Sequence, residues 1–282
     1  MTTAILYHAG CPDGFAAAWV ARTSPQFHKD TDVTFHPVTY NQPPPDVEAD
    51  MIYILDFSYP PDQLDAWAAG RDVMMLDHHQ TAIDAYKGLR PGVEIPGNIG
   101  WVIDPDRSGA GITWDWLHGN DEPRPPLVDY VEDRDLWRFA LPRSKEVNAY
   151  IRTLPHDFII WGEVNTMLTA GDMADAGKGA LAHINAYVRA VAQHSYWCRM
   201  GGREFPIVNV AYESASEVAN ELLEKHGSAM AGYFFQRGDG TWQYGFRARK
   251  GTTVHKFAAQ FGGGGHPQAA GCTSPVIAHT AV

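Results

Sequence analysis

Asp77, His78 and His79 stand in a row directly after the apolar run Val73-Met74-Met75-Leu76. A carboxylate and two imidazoles together suit a divalent transition metal. Left without partners in a core, such groups cost several kcal/mol, so ion pairing or metal binding is the usual remedy. A polar turn capping a strand is the bland alternative for one such acid. Two further stretches weaken it. Ala4-Ile5-Leu6-Tyr7 runs into His8, with Cys11 and Asp13 close behind, and Met51-Ile52-Tyr53-Ile54-Leu55 runs into Asp56. Three apolar runs thus each end, at the carboxyl side, on a candidate ligand.

The elements that must position these groups follow from the pattern. Each run reads as a strand buried on both faces, and the stretches between them read as helices. Phe15 to Arg22 is an alanine-rich helix. Asp62 to Arg71 is another, with Leu64 and Trp67 on one side. Strand, helix and strand in alternation predict a parallel α/β sheet with right-handed crossovers. The carboxyl ends of its strands share one edge, where active sites collect. Asp13 should stand just before its helix, whose amino end attracts anions. Val33 to Val38 and Gly97 to Asp104 add strands. Ser108 has the character of a cap for a helix through Leu117. Leu127 to Trp137 has helical spacing, with Glu132 and Asp135 expected on a solvated face.

Val147 to Tyr196 reads as mostly helical, punctuated by Gly171, Gly177 and Gly179. Beyond it, Phe205 to Val210 predicts a strand and Ser214 to His226 a capped helix. Gly232–Arg237 and Trp242–Arg247 flank Gly238-Asp239-Gly240 as a hairpin. Thr253 to Phe261 should be a helix ending in Gly262-Gly263-Gly264-Gly265.

Composition narrows the function. The 282 residues carry a formal net charge of −11, which argues against wrapping long duplex nucleic acid. A short anionic substrate is compatible, because bound cations reverse the potential of an acidic cleft. No apolar run approaches the roughly 20 residues a bilayer span needs. The start Met1-Thr2-Thr3-Ala4 lacks the basic opening of a secretory signal. Three cysteines make no disulfide framework. A cytoplasmic location is expected.

Asp77-His78-His79, preceded by Asp56-Phe57-Ser58 and followed near the end by Gly262-Gly263-Gly264-Gly265-His266, resembles the DHH phosphoesterases. That family includes RecJ-type exonucleases, oligoribonucleases, 3′-phosphoadenosine-5′-phosphate phosphatases and type II pyrophosphatases. The resemblance implies an α/β fold in three parts. These are a parallel-sheet DHH domain over 1–145, a helical connector over 146–197, and a smaller α/β DHH-associated domain over 198–282, with the active site in the cleft between the domains. It implies two divalent cations, foremost Mn2+, with Mg2+ or Zn2+ as alternatives. His8 and Asp56 would hold one. Asp13, His78, Asp133 and a shared Asp56 would hold the other. Asp133 is chosen because Glu-Asp-Arg-Asp-Leu-Trp looks like the family's last metal-binding segment.

Around these, Asp77 is expected to orient a ligating imidazole, and His79 either to reach a phosphate oxygen or to fill a polar pocket. Cys11 stands where many members have the first aspartate of Asp-x-Asp, so it is either a ligand or a small buried residue. The glycines at 263, 264 and 265 with His266 resemble the substrate-binding segment, and the glycines are otherwise a flexible linker. Arg247 either grips phosphate or makes a surface salt bridge, as does Arg249. The implied activity is hydrolysis of short oligonucleotides or linear dinucleotides to mononucleotides by metal-activated water, with Asp56, Asp77, His78 and His79 in the catalytic centre. A 3′-phosphoadenosine-5′-phosphate phosphatase and a non-hydrolytic nucleotide sensor are the alternatives. The oligomeric state stays open, a homodimer included.

Overall fold

The computed structural model describes residues 2–27, 32–40, 42–68, 70–90, 98–119, 122–170 and 173–282. Gly97 and Gly171 therefore lie outside the described residues. By its internal contacts the chain divides into Met1–Leu181 and Ala182–Val282.

In the first unit, strands β1 (Thr3–His8), β2 (Val33–Val38), β3 (Met51–Leu55), β4 (Asp72–Asp77) and β5 (Asn98–Ile103) form one sheet in the order β2-β1-β3-β4-β5. Every pairing is parallel. The central strands are apolar on both faces because both faces are covered. Ile5, Leu55, Met74 and Leu76 enter one core with residues of α1 (Pro12–Thr23) and, beyond the sheet, α4 (Gly109–His118), α5 (Pro126–Asp135), α6 (Ser144–Ile151) and α7 (Phe158–Ala170). Ala4, Leu6, Ile52, Ile54, Val73 and Met75 point the other way, into a core shared with α2 (Pro61–Trp67) and α3 (Gln80–Tyr86). The strict alternation follows from the strand's two-residue period. Ser108 caps α4 as expected, accepting from the Gly111 amide at 3.0 Å. The last helix, α8 (Met173–Ala192), carries the division between the two units.

In the second unit, β6 (Tyr196–Met200), β7 (Arg203–Asn209), β8 (Met230–Gln236), β9 (Trp242–Ala248), β10 (Gly264–His266), β11 (Ala269–Ser274) and β12 (Thr280–Ala281) build a mixed sheet ordered β10-β11-β9-β8-β7-β6-β12. The hairpin around Gly238-Asp239-Gly240 forms as read, β8 antiparallel to β9. Helix α9 (Ala215–His226) packs Val218, Ala219, Leu222 and Leu223 against this sheet. Its start departs from expectation, since the Ser214 side chain makes no capping hydrogen bond. Helix α10 (His255–Ala259) precedes the glycine run. That run is neither linker nor open loop. Gly264 to His266 are a strand paired antiparallel to β11. A Cβ on Gly263 would lie 2.0 Å from the Gly271 carbonyl oxygen, so close backbone approach is what excludes a side chain there.

Among the described residues, no helix is long and apolar enough to cross a membrane.

Candidate metal centre

Three strands of the first sheet end where their sequence says they should, and the groups at those ends converge. Asp56 follows β3 directly and adopts a left-handed backbone, φ 54°. That conformation costs a non-glycine residue about 1 kcal/mol, less for aspartate than for most. It is held by the Asp56 amide donating to the Leu76 carbonyl at 2.8 Å. The turn aims the buried carboxylate between two imidazoles. Its Oδ2 lies 3.3 Å from His8 Nδ1 and its Oδ1 lies 3.1 Å from His78 Nε2. Burial opposes the Asp56 charge, yet the contacts with His78 and His8 outweigh it and hold the carboxyl well below its usual range.

Asp13 comes from the other direction. It lies in the first turn of α1 and is 1% exposed. Its carboxylate accepts from the Gly109 and Ala110 amides at 2.6 and 3.1 Å, at the amino end of α4. That end carries the helix's positive partial charge. Gly109 has to be glycine here, because its Cβ would fall 2.5 Å from the Asp56 Cβ. Asp13 Oδ2 is 3.7 Å from His78 Nε2. Burial, then the charges of Asp56 and Asp135, push the Asp13 carboxyl well above its normal range.

The remaining acid is Asp135, whose Oδ2 lies 3.5 Å from His78 Nε2. Asp133, expected in this role, is turned elsewhere. Its carboxylate accepts from the Ala140 and Leu141 amides at 2.8 and 3.3 Å, tying down the loop after α5. Two helical residues two apart are about 200° apart around the axis, so only one of the pair can face the cluster. Glu132 is likewise not on a solvated face. It is buried, accepts from the Ser108 amide at 3.1 Å, and pairs with Arg107 and Arg124.

Asp77 orients His79 rather than His78. Its Oδ1 contacts His79 Nδ1 at 2.7 Å and accepts from the His78 amide at 2.8 Å. His79 therefore stands in the cluster, 5.7 Å from His8 between ring centroids. Tyr40, which the sequence did not single out, packs edge-on to both His8 and His79 and stacks on Phe57 at 4.3 Å. Cys11 occupies the cap position of α1 but makes no side-chain capping bond. Burial, then the nearby charges of Asp56, Asp135 and Asp13, push its thiol well above the usual range.

Two sets of ligand atoms emerge in this unit, each mutually within 4.8 Å: His8, Asp56 and His79, and Asp13, Asp56 and His78. They share Asp56, and neither includes Cys11. Three carboxylates around one imidazole, two of them buried, leave more negative charge than His78 neutralises. Burial works against the His78 imidazolium. The contacts with Asp56 and the charges of Asp135 and Asp13 nonetheless raise it well above its normal value. The donor set is therefore one that a divalent cation fits.

In the second unit, Arg247 is already engaged. It donates to the Ser216 hydroxyl at 2.5 Å and to the Phe246 carbonyl at 2.9 Å, and its guanidinium lies over the Tyr233 ring. Arg249 donates to the Leu223 carbonyl at 2.9 Å and pairs with Glu224. The Gly262 and Gly263 amides donate to the Ala259 and Ala258 carbonyls of α10, so these two do not face outward as anion donors. His266 ends β10, half-buried and paired in register with Ala269.

Residues 207–280 match the model of the DHHA1 domain. Uncharacterized protein R106 of Acanthamoeba polyphaga mimivirus is 25% identical over 296 residues, covering 95% of this chain and 66% of that protein. The chain thus spans just under two thirds of this relative's length. Among solved structures, RecJ from Thermus thermophilus in complex with Mn2+ superposes with a TM-score of 0.48 at 16% identity, over 96% of this chain and 49% of that one. The pGpG-specific phosphodiesterase PggH from Vibrio cholerae superposes with a TM-score of 0.47 at 12% identity, over 97% and 93%. The chain thus carries a DHHA1 domain over residues 207–280, preceded in sequence by a parallel-sheet unit whose fourth strand runs into Asp77-His78-His79.

Proposed function

We propose that the protein is a divalent-metal-dependent phosphodiesterase that cleaves short oligonucleotides or linear dinucleotides to mononucleotides. The observation that carries this reading is the sharing of Asp56 between two ligand sets. A carboxylate has two oxygens, here aimed at different imidazoles, so Asp56 would be able to serve both ligand sets at once.

His8, Asp56 and His79 would hold one ion, and Asp13, Asp56, His78 and Asp135 the other. Manganese suits this mixture of imidazole and carboxylate, with magnesium and zinc as competitors. Cations bound there supply Lewis acidity toward a phosphoryl oxygen and toward a water nucleophile. The chain's own residues do the rest. Asp77 fixes the orientation of His79. The Gly109 and Ala110 amides hold Asp13 in place. Cys11 belongs to neither ligand set; His79 would complete the set with His8 and Asp56, which supports a working two-ion site over a non-hydrolytic sensor. In the carboxyl-terminal domain, His266 with Gly264 and Gly265 and Arg247 remain the proposed substrate-binding residues, while the Gly263 amide is spent on the Ala258 carbonyl.

The test is a manganese-loaded preparation offered short RNAs, linear and cyclic dinucleotides, and 3′-phosphoadenosine 5′-phosphate. Release of mononucleotides from the short diesters is expected. Turnover of the bisphosphate alone, or none with metal bound, would replace the reading.

A further inference from the structure

Helix α5 ends on Asp135 and Leu136, and the next residue, Trp137, takes the left-handed backbone at φ 55°. Glycine is the usual occupant of that position after a helix, because a Cβ is strained there. A bulky aromatic in this conformation is a genuine outlier. Burial does not compensate, since Trp137 is 40% exposed. Two residues on, Phe139 repeats the conformation at φ 48° and meets Trp137 edge-on, ring centroids 5.0 Å apart. Asp133 holds the segment rigidly. Its carbonyl accepts from the Arg138 and Phe139 amides, and its carboxylate from Ala140 and Leu141.

Strained residues kept in place by an over-determined loop mark functional segments. The location says which function. Trp137 follows Asp135, which faces His78, by two residues, so their Cα atoms are at most about 7.6 Å apart. The charge is complementary as well. Arg134 lies over the Trp137 ring at 6.0 Å and Lys145 over the Phe139 ring at 5.3 Å. A flat ring carrying an anion matches an aromatic face flanked by cations. Tyr40 also borders the metal centre, but its ring is already taken up edge-on by His8 and His79 and stacked on Phe57.

We infer that Trp137, braced by Phe139, is the stacking platform for a nucleobase of the substrate, beside the Asp135 edge of the metal centre. This rests on the proposed nucleotide substrate and adds the residue that recognises its base.

The variant Trp137→Gly tests it without unfolding the protein, since glycine suits the backbone; Trp137→Phe keeps an aromatic face. With manganese present, calorimetry measures binding of adenosine 5′-monophosphate and of ribose 5-phosphate, which lacks the base. Wild type should bind the nucleotide about tenfold more tightly than Trp137→Gly, the order a base–aromatic stack supplies. Trp137→Phe should recover most of that difference, and ribose 5-phosphate should bind both proteins alike. Equal nucleotide affinity in wild type and Trp137→Gly overturns the platform, as does an equal loss for ribose 5-phosphate. Hydrolysis of a dinucleotide is measured separately. If the binding difference holds while no diester is cleaved, the platform stands and the phosphodiesterase reading falls.

Discussion

His78 Nε2 lies 3.5 Å from Asp135 Oδ2, while Asp133, two residues earlier on the same helix, gives its carboxylate to the backbone of a following loop. The two acids thus have separable roles. Asp135→Asn should lower manganese affinity at least tenfold and leave the metal-free protein as stable as before, because burial and the Asp56 charge already disfavour the Asp135 carboxylate. Asp133→Asn should keep its metal and lose about 1 kcal/mol, roughly 2–4 °C in melting temperature. Metal content by emission spectroscopy and a thermal melt on each variant decide the matter. Metal loss from Asp133→Asn with retention in Asp135→Asn would reverse the assignment.

Asp56→Ala should be the most damaging single change. It removes the one residue common to both ligand sets. Charge stabilisation by bound cations is worth several kcal/mol, so turnover should fall by about 1,000-fold or more. A variant within tenfold of wild type that keeps two ions would disprove a shared ligand.

Metal should stabilise the fold through the same residues. Manganese at about 100 times its dissociation constant adds about 2.7 kcal/mol by mass action, visible as a rise in melting temperature that a chelator reverses. Asp56→Ala should show almost none of it. An undiminished rise in that variant would place the ion elsewhere.

Cys11→Ala should retain both metals and cleave at a rate within a few-fold of wild type, since neither ligand set contains the thiol and its surroundings keep it protonated. Loss of one metal equivalent would instead make the thiol a ligand.

Glu132 is a structural hub. It accepts from Ser108 at the start of α4 and neutralises Arg107 and Arg124. Glu132→Ala strips the buried Ser108 amide of its acceptor and takes one of two carboxylate partners from each arginine, leaving Asp115 to Arg107 and Asp129 to Arg124. The cost should be about 2–3 kcal/mol, below that of a fully buried pair because the arginines keep some water. The melting temperature should drop by roughly 5–10 °C, and Glu132→Gln, which still accepts from Ser108, should drop less. Equal melting of wild type and Glu132→Ala would rule out this role.

The sequence by itself determined the parallel sheet, the placement of His8, Asp56 and Asp77 at its strand ends, and the β8–β9 hairpin. Each is a short-range property. A strand's period puts alternate residues on opposite faces, and apolar runs buried on both faces specify a parallel sheet. Tertiary structure decided what depends on rotation about a helix or on approach between distant segments. Asp133 and Asp135 look equivalent along the chain, and only the packing of α5 against the sheet turns one toward His78. Gly109 and Asp56 are 53 positions apart, and nothing local announces that one must lack a side chain for the other to fit. The glycine run read as an anion loop because glycine permits that conformation. Pairing with β11, formed only once the second sheet is assembled, makes part of it a strand instead.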